Sequence, residues 1–326
     1  MSPVRAAVVG AGLMGRWHAD ALTRVGGRLV AVVDPVEERA AALASNYSAT
    51  TAATLDELLK HMAVDVVHVT APLASHAALV LSALAAGCHV LVEKPLAESL
   101  ATTCRLLDAA QRADRLLCPV HQFLFQDGFL QAVQAVQRIG PLLHVDAVAC
   151  SAGAVNHDPD ALLPEILPHP LALVGRLCPG KLADAAWHIQ HPRPGELRAT
   201  TVLGQVSIGL LLSSAGRPTT NTLRLVAEHG TLHVDLFHGF CVVEPGEVSR
   251  ARKIVHPFTL AGATLGAAGF NLLRRAARHE PAYPGLRTLI ERFYAAVRGE
   301  ADPPISPTES IAVASARATL VRAMIA

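Results

Sequence analysis

The sequence predicts an α/β protein: a doubly wound parallel sheet over residues 1–120, then an α+β domain over 121–326 built on a mostly antiparallel sheet. Three observations carry this. Up to residue 120, runs that are apolar throughout alternate with helical patterns, as expected of strands covered on both faces. The first of these runs passes into Gly-x-Gly-x-x-Gly and then a helix. Beyond 121, β-rich runs follow closely, joined by short turns such as LGQ and EHGT, which favours antiparallel pairing.

In chain order, RAAVVGAGLMGRWHADAL is a strand, a glycine turn and a helix. RLVAVVD (28–34) is a second strand, and EERAAALAS (37–45) is helical in period and composition. The strand DVVHVTA (65–71) leads to an Ala/Leu-rich helix at 74–87, stopped by Gly87. HVLVE (89–93), a helix at 98–113 and LLCPV (116–120) close the series. A helix over 124–138 precedes strands at 142–151, 181–190, 197–203, 205–214, 222–230, 231–236 and 240–245. From 262 to the end the pattern is helical again. The apolar-basic stretch 257–279 reads as a helix packed at a subunit or domain contact, and 283–299 as a Pro-started amphipathic helix packing on the first domain.

Composition excludes several classes. With 28 basic and 27 acidic residues the chain has no electrostatic footprint for nucleic acid. Its six cysteines lie far apart with no CxxC pair, so neither a zinc site nor a disulfide framework is expected, and the HDPD run matches no metal spacing. The start of the chain lacks the apolar core and cleavage site of a secretion signal. The mean hydropathy is +0.35 and residues 66–92 carry no charge, but that run holds Pro72, Gly87 and three histidines. It divides into strand, turn, helix and strand rather than a membrane span. A cytoplasmic protein is expected.

The glycine turn has a physical reading. Gly10 makes the tight turn, Gly12 lets a pyrophosphate approach, and Gly15 lets the helix pack on the strand. Leu13 and Met14 lie between them, where the helix N-terminus presents free N–H groups to phosphate. Asp34, at the end of the second strand, is placed to accept from a ribose 2′-hydroxyl. Its charge would repel a 2′-phosphate, and PVEE beyond it offers no immediate base, so NAD is favoured over NADP; Arg39 is the nearest cation.

The series GAGLMGRWHADAL, AVVDPVEERAAALA, VDVVHVTAPLASHAALVLSALAAGCHVLVEKPLA and PPISPTESIAVASARA resembles the Gfo/Idh/MocA oxidoreductases. The resemblance is dense over 1–120, thin over most of 121–300, and rests above all on Glu93-Lys94-Pro95. It implies a Rossmann domain, a second domain with a large open antiparallel sheet, and hydride transfer between nicotinamide and a hydroxyl or keto carbon of a sugar, cyclitol or sugar acid. It implies Lys94 at the reacting hydroxyl and, from the motif Asp-x-x-x-His, an acid/base pair of Glu165 and His169. Thr70, Pro72, His76, Glu93 and Gln122 join the expected cofactor site. His121, Asn156 and His157 join Lys94 and His169 at the expected substrate site.

Departures are visible. Glu165 replaces the usual Asp, Pro168 and Pro170 flank His169 and favour a helix start there, and Leu124 stands where the family has Arg. Two other functions fit the motifs: a non-catalytic dinucleotide-binding regulator or scaffold, and a redox-neutral reaction on tightly held NAD. A homodimer or homotetramer formed through the open sheet is expected.

Overall fold

The computed structural model describes residues 2–151, 158–180, 182–246, 249–280 and 282–325. The chain forms two compact units. The first runs to His121 and also takes in Leu286–Ala314, which holds most of the helix expected at 283–299 to pack on the first domain. Its sheet comprises β1 (Arg5–Val9), β2 (Arg28–Val33), β3 (Thr50–Ala52), β4 (Val66–Val69), β5 (His89–Val92) and β6 (Leu117–Pro119). All neighbours are parallel, in the order β3-β2-β1-β4-β5-β6. The strands are near-continuously buried because helices α1 (Leu13–Arg24), α2 (Glu37–Ala44), α3 (Leu55–His61), α4 (Leu73–Ala85) and α5 (Leu100–Arg112) connect them. The sequence reading missed β3. It is three residues long and largely exposed, so it carries no apolar signal.

The order reverses between β1 and β4. Turns leaving the carboxyl ends of these strands open a crevice there, the usual ligand position in doubly wound sheets.

The second unit spans Gln122–Gly285 and Ser315–Ala326. It holds β7 (Leu142–Cys150), β8 (His188–Arg193), β9 (Glu196–Leu203), β10 (Val206–Ser213), β11 (Thr220–Ala227), β12 (Gly230–Asp235) and β13 (Phe240–Pro245). Their order is β13-β12-β11-β7-β10-β9-β8, antiparallel except for the parallel pair β7–β10. The expected strand at 181–190 is mostly not one. Leu182 is buried beside a turn, and pairing with β9 starts only at His188 opposite Thr200.

Burial alternates along β9. Leu197, Ala199 and Leu203 face the core while Arg198, Thr200 and Val202 are exposed, so the sheet has one covered and one open face. The helices of this unit are α6 (Asp127–Val136), α7 (Leu163–Ile166), α8 (Pro168–Leu177) and α9 (Arg250–Arg278). α10 (Leu286–Val297) belongs to the first unit, and α11 (Pro307–Ile325) runs across the division. No described helix is long and apolar enough to cross a membrane.

Candidate active site

The glycine turn follows β1. Gly10 has φ +99°, and a Cβ on it would lie 2.8 Å from the Thr70 carbonyl oxygen. A Cβ on Gly15 would collide with the Gly10 carbonyl. Thr70 secures the turn, its hydroxyl reaching the carbonyls of Val9 (3.0 Å) and Gly10 (2.8 Å). Gly12 differs: nothing lies within 4 Å of its Cβ position, and as N-cap of α1 it supplies no side-chain acceptor. That open space, faced by N–H groups without a side-chain cap, fits a pyrophosphate. Leu13 is 63% exposed at the mouth of the turn and Met14 half-buried beside it.

Asp34 is buried at the end of β2. One carboxylate oxygen accepts from the Ala11 amide (2.8 Å) and the other from Val36 (2.9 Å). The side chain therefore ties the glycine turn to the turn after β2. Arg39 is exposed on α2.

Lys94 follows β5 at the same sheet edge and is half-buried; the Lys94–Pro95 peptide is cis. His76, expected at the cofactor, is buried with its ring nitrogens on two carbonyls, Pro95 (3.0 Å) and Ala71 (2.9 Å). It braces the EKP turn against the turn after β4, where Pro72 is the N-cap of α4.

Glu93 heads a buried chain of hydrogen bonds that sequence reasoning missed. His18 Nε2 lies 3.1 Å from Glu93 Oε1, His18 Nδ1 lies 2.9 Å from His68 Nδ1, and His68 Nε2 lies 2.8 Å from the Tyr294 hydroxyl. With Glu93 ionised and both rings neutral, only one assignment satisfies every atom. Tyr294 donates to His68, His68 Nδ1–H to His18, and His18 Nε2–H to Glu93. Burial holds the His68 pKa well below its ordinary value, with His18 adding to the shift, and pushes the Tyr294 phenol up. The other Glu93 oxygen accepts from the Lys94 amide at 3.3 Å. The available signal was His68 itself, a polar residue inside the apolar strand VVHV.

Other candidates lie past β6. His121 is buried as the last residue of this stretch of the first unit. In the second unit Gln122 is buried and its side-chain oxygen has no hydrogen-bond partner, while Leu124, in place of the expected Arg, is buried too. His169 is the second residue of α8, as its flanking prolines require, with its ring 4.7 Å from that of Phe123. Leu167 between α7 and α8 keeps helical angles, so Glu165 and His169 fall four residues apart on helical backbone. Glu165 is exposed and His169 half-buried. Asn156 and His157 lie outside the described residues. Among the described residues no group of three or more His, Cys, Asp or Glu could hold a metal ion.

Residues 4–121 match a family model described as an oxidoreductase family with an NAD-binding Rossmann fold. The chain is 40% identical over 114 residues to an inositol 2-dehydrogenase of Leifsonia xyli subsp. xyli, a stretch covering 34% of each chain. It is 31% identical over 237 residues to inositol 2-dehydrogenase 2 of Paenarthrobacter aurescens, covering 70% of each. The fold also matches the WlbA dehydrogenase from Bordetella pertussis, solved in complex with NADH and UDP-GlcNAcA. That match has a TM-score of 0.77 at 17% identity, over 99% of this chain and 96% of that one. A glycine turn shaped for dinucleotide, an EKP turn at the carboxyl edge of the same sheet and relatives matched well beyond the first unit make this chain a member of the Gfo/Idh/MocA family of NAD(P)-binding oxidoreductases.

Proposed function

We propose that the protein is an NAD-dependent dehydrogenase or reductase acting on a hydroxyl or keto carbon of a sugar, cyclitol or sugar-acid substrate. The observation that carries this is Lys94, half-buried at the carboxyl edge of β5, on the sheet edge that also carries the glycine turn, with the next carbonyl held by His76. An ammonium at this sheet edge would serve a reaction that develops negative charge on oxygen. The relatives named for inositol and the neighbour solved with a nucleotide sugar support a polyol-like substrate.

Gly10, Gly12 and Gly15 would seat the dinucleotide pyrophosphate, with Leu13 and Met14 at the turn and Asp34 on the adenosine ribose. The bound nicotinamide supplies hydride acceptance or donation. Lys94 would bind the substrate hydroxyl and stabilise the alkoxide forming on it. His169 would take the hydroxyl proton during oxidation and return it during reduction, a role suited to imidazole near neutral pH. Glu165 would orient that ring, and Gln122, His121, Asn156 and His157 would line the nicotinamide and substrate ends. The buried Asp34 carboxylate favours NAD over NADP.

The test is NADH production against a panel of polyols, aldoses, sugar acids and their nucleotide-linked forms. Lys94→Ala and His169→Ala should each lower turnover by about 100-fold or more while NAD binding stays within about threefold. Full activity in both variants on a substrate that the wild type oxidises would sink the mechanism. NAD binding without turnover on any substrate, in either direction, would favour the non-catalytic reading.

A further inference from the structure

α9 is 29 residues long, about 43 Å of helix. One side of it is held by its own unit. His256 meets Glu244 on β13 (3.3 Å), Asn271 and Arg275 reach the His238 carbonyl (2.7 and 3.0 Å), and Arg274 and Arg278 clasp Asp127 (3.0 and 3.1 Å). Away from these contacts the helix is apolar and open: Ile254 is 76% exposed, Phe258 79%, Leu265 76% and Leu272 68%, with Val255, Phe270 and Leu273 exposed beside them.

The spacing on that side is regular. Ile254, Phe258, Ala261, Leu265, Ala268 and Leu272 alternate by four and three residues, the seam of a two-stranded coil, with Ala268 half-buried at its edge. The series is also symmetric about position 263. Laid antiparallel on a second copy, Ile254 falls opposite Leu272, Phe258 opposite Ala268, and Leu265 opposite Ala261. Two of the three layers match a large side chain with a small one, so the helices can approach closely. Gly262 and Gly269 flank the seam with nothing within 4 Å of their Cβ positions. From Ile254 to Leu273 the helix carries no Asp, Glu, Lys or Arg.

We propose that the open face of α9 is a two-fold interface that pairs with α9 of a second copy of this chain in antiparallel register. The seam from Ile254 to Leu272 is about 27 Å long and about 10 Å wide, so pairing covers a few hundred Å² on each partner, part of a standard interface. An anionic lipid surface fits less well, because the arginines of the last turns are engaged within their own unit, on Asp127 and the His238 carbonyl. The inference is independent of the reaction proposed above and concerns a surface other than the open sheet.

The test is sedimentation equilibrium on the full chain. Phe258→Glu and Leu265→Glu should each weaken one association step by about 30-fold or more, with NAD affinity and circular dichroism unchanged. Adding Ala261→Lys to Leu265→Glu should restore that step, because position 261 of one copy meets 265 of the other. A wild type monomeric at the highest attainable concentration, or variants that keep the wild-type assembly, would overturn the proposal. So would failure of rescue alongside a Phe258→Glu-sensitive flotation of the wild type with phosphatidylcholine–phosphatidylserine vesicles.

Discussion

Gly10 sits at φ +99° with a carbonyl where a Cβ would go. Alanine there costs about 1–2 kcal/mol from backbone conformation alone and pushes the turn off Thr70. Gly10→Ala should therefore weaken NAD binding by about tenfold or more in a fluorescence titration, while Gly12→Ala, in open space, costs no more than about 1 kcal/mol of folding stability through a poorer N-cap. His68 sets a pH dependence at the same scale. Its folded pKa is depressed, so between that value and about 6.5 the unfolded chain binds a proton that the folded one does not. Stability is present above this window and falls as pH drops through it. Urea midpoints measured from about pH 7.5 down to about 5.5 should show that fall, with a shallower slope in His68→Gln.

At the scale of elements, α10 packs on the first unit through an apolar face and reaches β4 through a buried hydroxyl. Tyr294 is 1% exposed and donates to His68 on β4. Tyr294→Phe keeps the ring and leaves the His68 acceptor buried without its donor. The expected loss is about 1–3 kcal/mol of unfolding free energy, and an unchanged midpoint would show the bond to be dispensable. This contact also shows what the sequence could reveal. The parallel half was legible because buried strands are apolar throughout and the glycine turn is local. The chain from Glu93 to Tyr294 was not, since its partners lie 50, 75 and 226 residues apart. A helix was legible at 257–279, but its start at Arg250 was hidden by Pro257, which usually ends a helix rather than sitting inside one. The position of Lys94 at the end of β5 was legible through its motif. The roles of Glu165 and His169 rest on spacing alone.

For the whole molecule, the first unit is discontinuous in sequence, and this has a consequence for folding. Leu286, Leu289, Ile290, Phe293 and Tyr294 are all buried within the unit that begins at the N-terminus. Burying such side chains contributes about 1.5–3 kcal/mol each, so without them the sheet would expose an apolar surface and lose the donor to His68. A fragment ending at His121 should therefore unfold at a markedly lower urea concentration than one in which 2–121 is joined by a flexible linker to 286–314. The linked fragment should bind NAD with measurable affinity and the short one should not. Equal midpoints for the two fragments would mean that the returning segment adds nothing to the first unit.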